Sequence, residues 1–411
     1  MSLCALVYIL ILGRRGHSAD DLVSSSTRSR EPSNHDSQFG ALPSIAPALA
    51  KSAPCDERAP LSPEEYRARE TRIQRLRDRT ISDLSKQLAE NARPAQRAIG
   101  KYLEMVAVFQ AAMDDAQSKT RCSEKEPCEE DAFLVAERQK SPYQDAIARL
   151  AVENRNADVY AIAFYACSHL AKSAPAGQCA QLSARQWARL EPRNAVPWLF
   201  VAGEAAEQNQ PALVEEAIYR AARADESNSH RSEFSGLLDS NLLKLQPEEV
   251  QDSVSLYAFG ILAAIPIPRY QPVMAYCGAN AVNDPNRRQV CDSLAEVMTG
   301  RADSMISLSL GIRIGERVGW PESRLQALRD RKDSFYQFHS DLVESLRDNC
   351  GSRGMLRNWF RDSLQFGEVE AVRREISVSG RTEAEMAGRF RAEQAARVAR
   401  EVLEKKAKDL P

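Results

Sequence analysis

The stretch that decides the fold is AIAFYACSHLAKSAPAGQCAQLSARQWARLEPRN, residues 161–194. Small and apolar side chains lie on both sides of Ser173-Ala174-Pro175-Ala176-Gly177, a run of turn-forming residues. Cys167 and Cys179 flank that turn almost symmetrically, on two antiparallel helices of a hairpin. Such positions face each other across the seam within about 7 Å between Cα atoms, a span that a disulfide bridges. Working outward, the same grammar recurs. Cys277 and Cys291 flank Asn283-Asp284-Pro285. Proline with a polar or acidic neighbour marks helix starts at Ser141-Pro142, Asn209-Gln210-Pro211, Gln246-Pro247-Glu248-Glu249, Asp284-Pro285 and Trp320-Pro321-Glu322. Proline is pre-set for the first helical turn, and carboxylates favour the positive end of the helix dipole.

Ser62-Pro63-Glu64-Glu65 is a capping signature, followed by Tyr66, Ile73, Leu76, Leu84 and Leu88 at helical spacings. Pro94 ends or kinks that helix, and a second is predicted over Ala95 to Gln117. Thr382-Glu-Ala-Glu385 caps a last, charged helix. No stretch alternates as a strand would, and Glu375 to Ser379 is too short to count. The chain reads as all-α.

Segments beginning at Ala161 and Ala195 align at a 34-residue spacing. In the first, Phe164 takes the aromatic position of one helix, Ala180 the small position of the next and Pro192 the closing proline. In the second, Trp198 is the aromatic and Ala221 a small residue. Over residues 161–228 the chain resembles the tetratricopeptide repeat. It departs from that pattern at Ser168 and Ala202, where the family prefers glycine, and at Val214, Ile218 and Glu226. The resemblance implies a right-handed superhelix of antiparallel helical hairpins with flanking helices, and a concave groove that takes a protein or peptide. It places Tyr165, His169 and Lys172, spaced i, i+4, i+7, along that groove as a polar stripe for an acidic or C-terminal carboxylate group. The equivalent stripe in the next copy is Leu199, Gly203, Ala206 and Glu207. The plain alternative is a solvated face with a partly covered tyrosine.

Lys plus Arg number 55 against 57 Asp plus Glu, so there is no global basic field for nucleic acid. Leu3 to Leu12 is an apolar run of signal-peptide length, too short to span a bilayer, followed by Arg14 and Arg15. Residues 1–19 read as a signal or N-terminal membrane anchor, or else as a frayed apolar tail. Residues 20–60, rich in Ser, Pro and Ala, read as a disordered tether. N-terminal helices follow over 61–120, repeats over 130–345 and C-terminal helices over 346–411.

There are nine cysteines. Setting Cys4 aside with the apolar segment leaves an even set: Cys122 with Cys128, Cys167 with Cys179, Cys277 with Cys291, and Cys55 with Cys350 by exclusion. No C-x-x-C occurs and no histidine clusters with them, so metal spacing is absent and no metal or other cofactor is expected. Local pairing without metal spacing reads as disulfides of an oxidising, periplasmic or exported location. Reduced core cysteines in a cytoplasmic protein are the other reading.

No H-E-x-x-H, phosphate loop, nucleophile elbow or EF-hand loop is present. Cys167 and His169, two apart on one helix, would not face each other. The doublets Glu64-Glu65, Glu215-Glu216 and Glu248-Glu249 read as first-turn or solvated carboxylates, and Trp187, Trp198, Trp320 and Trp359 as core anchors. No catalytic residue is assigned. The sequence therefore reads first as a non-catalytic envelope scaffold. A helical hydrolase with His169 or His339 beside a carboxylate, and a membrane-tethered structural element, are the alternatives.

Overall fold

The computed structural model describes residues 62–119, 132–168, 177–278, 283–347 and 352–408. Among these are seventeen α-helices, two 3-10 helices and no strand. The chain divides into two compact units. The described residues of the first lie within 62–220 and 228–270, those of the second within 221–227 and 271–408.

The first unit opens with α1 (Pro63–Ala89) and α2 (Pro94–Lys119). Ser62 and Glu65 cap α1 reciprocally, at 3.2 and 2.8 Å. The two helices approach closely at Gly100, where a Cβ would lie 2.6 Å from the Ser85 carbonyl oxygen and against the Ala89 nitrogen. α3 (Ala132–Asn154) packs on α2, and α4 (Ala157–Cys167) on both. Pro142 lies inside α3 rather than at a helix start, so the expected break at Ser141-Pro142 is corrected. Buried Gln144 donates to the Ala166 carbonyl at 2.8 Å, satisfying one of the acceptors that the end of α4 leaves open.

A 3-10 helix (Gly177–Gln181), α5 (Ala184–Leu190), α6 (Ala195–Glu207) and α7 (Pro211–Ala222) follow. The core here is aromatic. Phe164 and Tyr165 of α4, Trp187 of α5 and Phe200 of α6 have ring centroids 5.1–6.4 Å apart. A 3-10 helix (Arg231–Phe234), α8 (Ser235–Asp239), α9 (Asn241–Lys244) and α10 (Glu248–Ala263) complete the unit. α10 runs parallel to α1, with Arg69 paired to Glu249 and the Arg77 guanidinium 5.5 Å from the Tyr257 ring centre.

The second unit holds α11 (Gln271–Tyr276), α12 (Pro285–Gly300), α13 (Met305–Glu316), α14 (Glu322–Arg347), α15 (Ser352–Phe366), α16 (Glu368–Val378) and α17 (Glu383–Lys408). Asp284 caps α12 with Pro285 at its start. Thr382 and Glu385 form the second capping box, at 2.7 and 3.2 Å. Gly367, at φ +86, joins α15 to α16 where a Cβ would meet the Asp303 backbone at 2.9 Å. α17 docks on α14 through Arg389 to Asp341, Arg391 to Asp330 and Asp333, and stacked Phe390 and Tyr336. No described helix is long and apolar enough to cross a membrane.

Both local cysteine pairs in the described residues are disulfides. Cys167–Cys179 has Cα atoms 5.4 Å apart and Cys277–Cys291 5.6 Å. The surroundings of the first differ from the expected hairpin. Cys179 sits in a 3-10 helix rather than on an antiparallel α-helix, and Ala180 beside it is exposed. Cys55, Cys122, Cys128 and Cys350 lie outside the described residues, as do the apolar segment and the tether.

Candidate functional site

Of the expected groove residues, Tyr165, Leu199 and Glu207 are described. α4 ends at Cys167, with Ser168 extended at ψ 117. His169 and Lys172 lie outside the described residues. Tyr165 is 4% exposed; its ring packs on Trp187 and its hydroxyl donates to the Ser229 carbonyl at 3.0 Å. Leu199 is 1% exposed. Both are core residues, because their small and aromatic neighbours on α4 and α6 leave no side open to water.

The remaining groove residue, Glu207, is exposed and pairs with Arg269. One turn earlier on α6, a Cβ on Gly203 would lie 3.2 Å from the Arg269 Cβ and 3.6 Å from its backbone nitrogen. Arg269 belongs to Ile265-Pro266-Ile267-Pro268-Arg269-Tyr270, which leads from α10 toward α11 and is neither helix nor strand. Gly203 and Glu207 thus meet a non-helical, proline-bearing segment of the same chain.

A second polar constellation joins the start of α4 to two interhelical connections. Asp158, in the first turn of α4, lies 3.0 Å from Nδ1 of His230; Glu191, just past α5, lies 2.8 Å from Nε2. His230 is 3% exposed and sits at φ +56. Burial works against charge on the ring, but hydrogen bonds to Asp158 and Glu191 and their charges outweigh it, and the pKa stands at about 9. His230 is therefore an imidazolium near neutral pH, and Asp158 is held below the usual carboxylate range chiefly by its bond to it. Glu191 also accepts from the Trp187 indole at 2.8 Å and from Asn194 at 3.1 Å. With both ring nitrogens donating, His230 has no lone pair to accept a substrate proton. Its two carboxylates stand on opposite edges of the ring and cannot converge on one cation.

The other candidates are equally committed. His339 is half-buried among the rings of Phe335, Phe338 and Trp359, with Nδ1 2.9 Å from the Phe335 carbonyl; burial pushes its pKa down. Glu65 closes a capping box, Glu216 pairs with Arg220 and Glu249 with Arg69. All four tryptophans are buried: Trp198 donates to the Pro192 carbonyl at 3.1 Å, and the Arg324 guanidinium lies 3.5 Å from the Trp320 ring centre. Glu375, raised to about 7 by burial and by the charge of Asp362, is a carboxylate that sequence reading passed over. The His230 cluster was passed over too, since Asp158, Glu191 and His230 share no local spacing. Among the described residues no group of three or more His, Cys, Asp or Glu is placed to hold a metal ion.

Comparison of the chain with protein-family models, curated proteins and solved structures gives no match.

Proposed function

We propose that the protein is a non-catalytic helical-repeat scaffold of the cell envelope, binding a protein or peptide partner along the face of α6 that bears Gly203 and Glu207. The observation that carries this reading is the seat of Arg269 on that face. A glycine lets another backbone come within van der Waals reach of the helix, and a carboxylate one turn on supplies a charged anchor. That is the geometry by which a helical array holds an extended chain. The two disulfides support an oxidising compartment, with a periplasmic or exported location as the reading. The superhelical, tetratricopeptide-like arrangement of the hairpins is part of the same proposal. The engagement of both ring nitrogens of His230 by carboxylates weighs against an enzyme built on that residue.

The test is photo-crosslinking in intact cells from Gln208, exposed at the end of α6. A discrete crosslinked partner, lost on Glu207→Lys, is the expected result. Absence of any crosslink from Gln208 and from exposed Ile267 would overturn it.

A further inference from the structure

We infer that Ile265–Tyr270 is an intrachain stand-in for the partner, and that the partner presents an extended peptide with proline followed by arginine. The inference rests on the scaffold reading above and names the class of ligand.

Four features support it. First, the segment is pre-organised. Pro266 and Pro268 fix φ near the polyproline value and remove two backbone donors, and the segment is neither helix nor strand. Second, it is sided as a bound peptide is: Ile265 and Pro268 are buried, while Ile267 between them is 47% exposed. Third, Arg269 presses its backbone, not only its side chain, against Gly203, with nitrogen 3.6 Å and carbonyl oxygen 3.7 Å from the place a Cβ would take. The closest of these contacts is the Arg269 Cβ, at 3.2 Å, so a side chain at 203 would crowd Arg269 there, while the backbone atoms stand at ordinary van der Waals distance. Fourth, the specific contact is the pair between Arg269 and Glu207, whose side chains are 59% and 52% exposed. An ion pair so exposed contributes little to stability. The segment is thus held at its arginine end by a contact that a competing peptide can replace without unwinding α6 or α10.

The test uses the full chain and a fluorescent synthetic peptide copying residues 265–270, followed by polarisation. In the double variant Pro268→Ser with Arg269→Ala, which loosens the resident segment and leaves Gly203 and Glu207 intact, the peptide is expected to bind at least about tenfold tighter than to the unaltered chain. Adding Glu207→Lys should abolish that binding, and a peptide copy with Arg269→Glu should restore it. Equal binding to the loosened and unaltered chains, with both folded by circular dichroism, overturns the inference. So does binding that ignores the charge swap. If the double variant fails to fold, Arg269→Ala alone carries the comparison, with a gain of about threefold expected and no gain overturning the inference. A partner crosslinked at Gln208 alongside a failed peptide test would sink the ligand class and leave the scaffold reading standing. Failure of both would remove the two together.

Discussion

Asn194 and Asn228 hold each other across 34 positions of chain: the Asn194 amide donates to the Asn228 carbonyl at 2.8 Å, and the Asn228 backbone N–H donates back at 2.9 Å. Asn194 is wholly buried, and nothing on its side chain is idle. Its oxygen also caps α6 through the Val196 N–H at 3.1 Å, and its second amide hydrogen goes to Glu191. Two donors and two lone pairs are all an asparagine side chain has. Asn194→Ala should therefore lower the stability of the first unit by about 2–4 kcal/mol, through a lost cap and buried groups left unpaired. Asn194→Asp should be worse, because it replaces a donor with a second carboxylate beside Glu191. Urea unfolding at neutral pH measures both; a loss under about 1 kcal/mol for each would contradict the account.

His230 ties stability to pH in a stated direction. Its folded pKa of about 9 lies above the ordinary histidine value of 6.5. The stabilisation is therefore complete below about pH 6.5 and is lost as pH rises through about 9, at most roughly 3 kcal/mol. His230→Asn removes the cation but tolerates the left-handed backbone at this position. The variant should be about 2–4 kcal/mol less stable at pH 7, because Asp158 and Glu191 lose their counter-ion. It should also lose the alkaline slope. Melting curves from pH 6 to 10 decide it; an unchanged slope in the variant would show that the slope has another origin.

What was legible in the sequence is what is decided within one turn of helix. Ser62 with Glu65, Thr382 with Glu385, and Asp284 before Pro285 each bond to a residue two or three positions on, and each forms as written. The two bridges within 167–179 and 277–291 were legible because their loops are short. The proline signal misled at Pro142, which the long α3 absorbs. The helices capped by Asn156 and Asn194 start 38 positions apart, and Tyr165 turns into the core, where packing rather than spacing sets its direction. The His230 cluster, the seat of Arg269 on Gly203 and the exposed end of α6 depend on residues 39 to 72 positions apart. No local pattern encodes such meetings; tertiary packing decides them.

In the second unit Glu375 is expected to oppose stability once ionised. Burial and the nearby charge of Asp362 raise its pKa from 4.5 to about 7, so the unfolded chain releases this proton first. Stability then falls as pH rises from about 4.5 to about 7, the reverse of an ordinary salt-bridged carboxylate. Glu375→Gln should be neutral near pH 4.5 and stabilising at pH 8. The gain should be under about 1 kcal/mol, because the residue is partly solvated. Thermal melting at the two pH values measures it, and a destabilised variant at pH 8 would mean that the carboxylate has a favourable partner.

Gly100 tests the packing of α1 on α2. The residue sits in the interior of α2, where glycine is unfavourable in itself by about 1 kcal/mol relative to alanine. Were the site open, Gly100→Ala would stabilise. Here the new methyl would meet the backbone of α1 at Ser85 and Ala89, atoms that cannot rotate away. The helices must then separate, and Ala98, Ile99 and Leu103, all essentially buried, would lose contact with their neighbours. The expected net effect is destabilisation by about 1–3 kcal/mol, with Gly100→Val worse than Gly100→Ala because branching at Cβ widens the clash. Chemical unfolding of the two variants beside the unaltered chain measures the order. A stabilised Gly100→Ala would mean that α1 and α2 stand further apart than this contact places them.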